Sequence, residues 1–128
     1  MINFFESKLR FNKITSENKK DRFNPYLKSV YSNDCDSPFE YKCSKCDYKV
    51  SIKNIDLEKH STELHSNLNE KDKGLIESFI LKNKLEKYSF LDFYCPDCSK
   101  PIRILFESWN SGFIGKEYEL KGVIEIER

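Results

Sequence analysis

The chain has 128 residues, 38% of them hydrophobic, 34% charged and 14% aromatic, with a formal net charge of +1. That apolar content is enough for a packed core and excludes a globally disordered chain, and the length suits a single domain. Lysines interleaved with Asp and Glu, and only four Arg, exclude a general polyanion-binding surface, and with no run of about 18 apolar residues no membrane span is expected.

In chain order, residues 1–14 carry Ile2, Phe4, Phe5, Leu9, Phe11 and Ile14. Ile2, Phe5 and Leu9 fit one helical face, while Leu9 and Phe11 fit a strand, so this stretch is expected to be partly buried with its type open. Thr15 to Arg22 is polar and charged throughout and reads as a loop. Asn24-Pro25 predicts a short helix running to Tyr31, and Ser32 to Pro38 is rich in turn formers. Phe39 to Ile52 predicts strand–turn–strand, with Tyr41 leading into Cys43 and Cys46 and with Tyr48, Val50 and Ile52 alternating beyond them. Residues 54–68 read as a helix capped by Asp56, with Leu57, Leu64 and Leu68 on one side. A second helix is expected from about Asn69 to Lys87, started by Asn69 or Asp72 and bearing Leu75, Ile76, Phe79 and Ile80 as its apolar face; Gly74 weakens its first turn. From Leu91 a second strand–turn–strand follows. Ile102, Ile104 and Phe106 continue its strand, Trp109 to Lys116 reads as a turn region, and Tyr118, Leu120, Ile124 and Ile126 alternate in a final strand.

The two strand–turn–strand stretches look like copies. A shift of 52 positions sets Cys43 and Cys46 on Cys95 and Cys98, Phe39 on Leu91, Tyr41 on Phe93, Val50 on Ile102 and Ile52 on Ile104. Two residues between cysteines let one turn aim both sulfurs at one ion, and two such turns complete a tetrahedron around zinc. This pairing resembles the zinc ribbon, a fold group in which two cysteine knuckles on β-hairpins clamp one metal ion. The resemblance covers Phe39–Ile52 and Leu91–Ile104 and implies structural Zn²⁺ held by Cys43, Cys46, Cys95 and Cys98. The chain departs from the commonest knuckle at the position after the second cysteine, where Asp47 and Ser99 stand in place of glycine. The expected fold is α+β: an antiparallel sheet built around the four-cysteine site, with a two-helix insertion between the knuckles. One domain, 1–128, would comprise an N-terminal segment (1–38), the first knuckle (39–52), the helical insertion (54–88), and the second knuckle with a C-terminal β-meander (91–128).

Two rival readings use the same residues. Cys43 and Cys46 followed by His60 and His65 give C-x2-C-x13-H-x4-H, which resembles a C2H2 finger but leaves Cys95 and Cys98 without a role. Cys95-Pro-Asp-Cys98 is similar to the C-P-x-C of thioredoxin-like oxidoreductases, yet Ser99 to Ile104 reads as strand, and those motifs need a helix N-terminus to lower the thiol pKa. Cys35, between Asp34 and Asp36, reads as a free thiol. An odd count of five cysteines in C-x-x-C pairs fits a reducing compartment. With no basic-then-apolar start to act as a secretory signal, the cytoplasm is the expected location.

No G-x-S-x-G, H-E-x-x-H or P-loop pattern occurs, and a four-sulfur zinc lacks the open position of hydrolytic zinc, so the chain is expected not to be an enzyme. The leading expectation is a binding protein that acts on a protein partner. Tyr31, Phe39, Tyr41, Trp109, Phe113 and Tyr118 are candidate anchors, although Phe39 and Tyr41 suit a core. In size, composition and layout the chain resembles small bacterial immunity proteins, which act as antitoxins. That likeness implies a toxin as partner and Asp34, Asp36, Glu117, Glu119, Glu125 and Glu127 as an occluding acidic set. The alternative is a zinc-ribbon or C2H2-like nucleic-acid-binding regulator meeting phosphates through Lys42, Lys45, Lys49 and Lys53. A small redox or zinc-dependent enzyme is the third class.

Overall fold

A computed structural model describes residues 1–11, 19–20, 24–29, 38–62, 65–110 and 116–127. They form two antiparallel sheets and two helices, so the α+β class holds. The strands are β1 (Ile2–Glu6), β2 (Arg10–Phe11), β3 (Lys19–Lys20), β4 (Leu27–Ser29), β5 (Phe39–Lys42), β6 (Lys49–Ile52), β7 (Ser89–Tyr94), β8 (Pro101–Asn110) and β9 (Lys116–Ile126); α1 is Asn54–Thr62 and α2 is Glu70–Lys82. The larger sheet runs β1-β9-β8-β7, with β2 also paired to β9, and the smaller runs β3-β4-β5-β6. Among the described residues no helix is long and apolar enough to cross a membrane.

The larger sheet is apolar on both faces. Ile102, Ile104, Phe106, Tyr118, Leu120 and Val123 pack with Leu27, Phe39, Tyr41 and Ile52 of the smaller sheet and with Leu57 of α1. Leu105, Ile124 and Ile126 point the other way and pack with Ile76 and Ile80 of α2. That two-sided burial explains why Pro101 to Phe106 are all buried rather than alternating. A bulge between Leu105 and Phe106 accommodates one extra residue of β9, so Leu120 and Val123 face the same core although they are three apart.

Gly122 lies opposite both Glu6 and Leu105. A Cβ there would overlap the Phe4 ring and sit 3.0 Å from the Phe5 carbonyl. Gly122→Ala is therefore expected to cost about 1–3 kcal/mol through strand displacement, read as a lower urea midpoint.

Several expectations need correction. The helix predicted over 24–31 is absent: Asn24 Oδ1 accepts the Tyr26 N–H at 3.0 Å in a side-chain-closed turn, and Leu27–Ser29 pairs with Phe39–Tyr41 as strand. Sheet pairing, with Leu27 fully buried, overrides a weak local helix signal. Lys19–Lys20, inside the expected loop, pairs with β4, and the open segment at the start is strand in both β1 and β2. Of the expected Trp109–Lys116 turn, Trp109 and Asn110 end β8 and Lys116 opens β9, paired across the sheet; Ile14, Tyr31, Cys35, residues 32–37, Leu64 and residues 111–115 lie outside the described residues.

The segment between the two hairpins holds two helices, both shorter than expected. The first ends at Thr62, with Asp56 inside its first turn rather than at its cap. Leu68 is buried from a following loop, against the cluster that α2 joins. Asn69 caps α2 by accepting the Asp72 N–H at 2.8 Å. At the other end, Leu85 N–H bonds the Ile80 carbonyl and Lys84 N–H the Leu81 carbonyl, with Lys84 at φ 58°, a Schellman closure that stops the helix well before Lys87.

Candidate metal centre

Each cysteine pair sits in the turn of a hairpin, the first between β5 and β6 and the second between β7 and β8. The registers superpose under the 52-residue shift: Phe39↔Ile52 and Tyr41↔Val50 match Leu91↔Ile104 and Phe93↔Ile102. So do the turn hydrogen bonds. Cys43 N–H donates to the Tyr48 carbonyl at 2.9 Å and Asp47 N–H to the Cys43 carbonyl at 3.0 Å; Cys95 N–H donates to Lys100 and Ser99 N–H to Cys95, both at 2.9 Å. Asp47 and Ser99 are the residues that replace the common glycine, and both are left-handed, with φ of 63° and 62°. The turn thus imposes the conformation even where the residue type resists it. Asp47→Gly and Ser99→Gly are each expected to raise stability by about 0.5–1 kcal/mol by removing that strain, measured as a higher thermal midpoint at unchanged metal content.

The four sulfurs converge. Cys43 Sγ lies 3.7 Å from Cys98 Sγ, Cys46 Sγ lies 3.5 Å from Cys95 Sγ, and all four are within 4.8 Å of one another. A disulfide needs about 2.05 Å, and all four cysteines are free. Four sulfurs each about 2.3 Å from a central zinc would stand about 3.8 Å apart, so the cluster has the size such an ion requires. The arrangement can hold a metal ion.

The electrostatics favour a cation at that centre. Burial pushes the Cys43 thiol up, but hydrogen bonds from the Cys46 and Lys45 amides and from the neighbouring thiols bring it down to about 7. The Tyr48 amide lowers Cys46, yet burial and the surrounding sulfurs outweigh it and push Cys46 up to about 12. Burial likewise pushes Cys98 up. Without a cation, one ionised sulfur keeps its neighbours protonated; a divalent ion removes that conflict.

A buried polar network ties the two knuckles together beside the sulfurs. Lys100, next but one after Cys98, donates from Nζ to Glu125 Oε2 at 2.7 Å and to Ser44 Oγ at 2.8 Å. Ser44, from the first knuckle, donates to the same carboxylate at 2.5 Å, and the Tyr41 hydroxyl donates to Glu125 Oε1. Glu125 is 0% and Lys100 2% exposed. Burial pulls Lys100 down, but the Glu125 carboxylate more than restores it and holds the ammonium above its usual range. A second buried pair lies on the opposite face of β8: Arg103 makes two 2.7 Å bonds to Asp92 and stacks 3.8 Å over the Phe90 ring. Ser66 Oγ also donates to Asp92, at 2.5 Å.

Neither network was legible beforehand. Glu125, expected in an occluding acidic surface set, is instead fully buried. The alternation of Ile124 and Ile126 points Glu125 to solvent, and it is buried because β9 is covered on both faces, so no local signal marked it.

The remaining candidates disperse. His60 and His65 stand with ring centroids 6.4 Å apart, His60 buried and His65 exposed, and neither joins the sulfur cluster. Phe39, Tyr41 and Tyr118 are core. Phe113, Asp34 and Asp36 lie outside the described residues, and only the backbone of Trp109 is described. Glu119 pairs with Arg10 and Lys121, and Glu127 approaches Lys100 at 3.7 Å. Lys42 reaches Asp47 at 4.0 Å, while Lys45, Lys49 and Lys53 are exposed. Comparison with protein-family models, curated proteins and solved structures finds no match to this chain.

Proposed function

We propose that Cys43, Cys46, Cys95 and Cys98 hold one structural Zn²⁺, and that the chain acts without catalysis of its own, by binding another protein through a surface braced by that centre. The convergence of four sulfurs from two hairpins carries the zinc reading. Four thiolates fill a tetrahedron and leave no position for water or substrate. The redox alternative has little support, because both C-x-x-C turns are followed by strand and neither first cysteine opens a helix. The narrower immunity-type reading, with a toxin as partner, loses Glu125 from its acidic set; a toxin-like reading frame beside the gene would be its best support. The nucleic-acid reading keeps Lys45, Lys49 and Lys53, and its signature would be binding that weakens steeply with salt.

The zinc is tested by elemental analysis of protein purified without added metal. One zinc per chain is expected. Affinity should fall as pH falls, because the ligands must lose protons to bind and acid returns them. Stoichiometric iron, or full folding with no metal, would reject the assignment.

A further inference from the structure

β6 is an edge of the smaller sheet and β7 an edge of the larger one. Between them, with α1 along one side, lies a cleft of about 270 Å³. Its apolar lining comes from Val50, Leu91 and Phe93, and its polar lining includes Ser51, Asp56 and His60.

Three observations say what fits there. The first is the hydrogen-bonding phase of β6. Cys43 and Tyr48 form a hydrogen-bonded pair, so Val50 and Ile52, two and four residues on, turn their backbone groups toward β5. Ser51 therefore turns its N–H and C=O the other way, along the unpaired edge. The facing edge of β7 is already occupied where the Asn67 side-chain amide donates to the Asp92 carbonyl at 3.1 Å. The second is His60. It is 5% exposed, and its Nδ1 is shielded from solvent with no hydrogen-bond partner, so a rotation of the ring is needed to bring that nitrogen to the cleft. An imidazole nitrogen is a donor or an acceptor according to tautomer, and a peptide group offers both complements. The third is charge. Asp56 and Asp92 are the charged residues lining the cleft; Arg103 neutralises Asp92, while Asp56 has no ion-pair partner among the described residues.

We propose that this cleft binds an extended peptide segment of a partner protein, which pairs with the Ser51 edge of β6, sets a Lys or Arg side chain against Asp56 and, once the ring turns Nδ1 out to the cleft, meets the His60 imidazole with a backbone amide. This rests on the protein-interaction reading above and names its surface. Main-chain pairing supplies affinity in such strand addition, and flanking pockets supply selectivity.

The test is selection from a phage-displayed library of random linear peptides on the zinc-loaded full chain, followed by synthesis of the enriched peptide. Enriched sequences should carry Lys or Arg. The synthetic peptide should shift the ¹⁵N resonances of the Ser51 amide and of His60 Nδ1. Ser51→Pro, which removes the outward N–H and leaves the β5 ladder bonds in place, should weaken it about tenfold, and Asp56→Asn about threefold, at unchanged zinc content, with Ser51→Ala, which keeps the N–H, binding as the wild type does. N-methylation of alternate peptide amides should also abolish binding, a readout that needs no protein variant. Peptides that bind Ser51→Pro and their N-methylated forms undiminished, or that shift resonances elsewhere, overturn the cleft and leave the interaction reading standing. No enriched peptide, together with no protein cross-linked to the chain in its source cells, overturns both.

Discussion

Cys95→Ser is expected to lose the metal and the cooperative fold together. Metal binding energy is folding energy in a site assembled from distant segments, and for four-ligand zinc it amounts to about 10–16 kcal/mol at neutral pH. A domain of this size has a net stability of about 5–15 kcal/mol, so removing one of four ligands can consume all of it. The 48 residues separating the two knuckles sharpen the effect, because an ion bound there would close a long loop. Zinc content and the near-UV circular dichroism of the variant check this. Cys95→His should retain part of both, since an imidazole nitrogen also binds zinc. A Cys95→Ser protein with one zinc and a wild-type melting temperature would contradict the centre.

Glu125→Ala is expected to destabilise the chain by about 3–5 kcal/mol, because it strands the Lys100 ammonium in a site with 2% exposure. Tyr41 and Ser44 lose their acceptor at the same time. Urea denaturation followed by fluorescence measures the loss. The double variant Glu125→Leu with Lys100→Met should recover most of it, since removing both charges is far cheaper than removing one. If the single variant costs under about 1 kcal/mol, water reaches the site and the network is not buried as described.

Glu125 and Lys100 also show how the two hairpins diverge. The 52-residue shift carries Lys100 back to Tyr48, which is 44% exposed, and carries Asp92 and Arg103 back to Glu40 and Ser51. One hairpin contributes the edge strand β6 of its sheet, while β8 of the other lies inside a sheet covered on both faces. Near-identical local geometry therefore receives different chemistry, because burial demands paired charges in one copy and tolerates solvated ones in the other.

The knuckles could be read from residue spacing because their determinants are local: two cysteines, a tight turn and alternating flanks specify a hairpin whatever surrounds it. The same holds for α2, whose Asn69 cap and Ile76–Ile80 stripe lie within its own segment. What the chain alone left open was set by partners far away in sequence. β4 became strand because β5 offered it a ladder, α1 does not extend to Leu68 because Ser66 and Asn67 bond Asp92, and Glu125 turned inward because Lys100 and Tyr41 meet it there. Each of those outcomes depends on desolvation and on hydrogen bonds that exist only after the two sheets come together, and no local pattern encodes either.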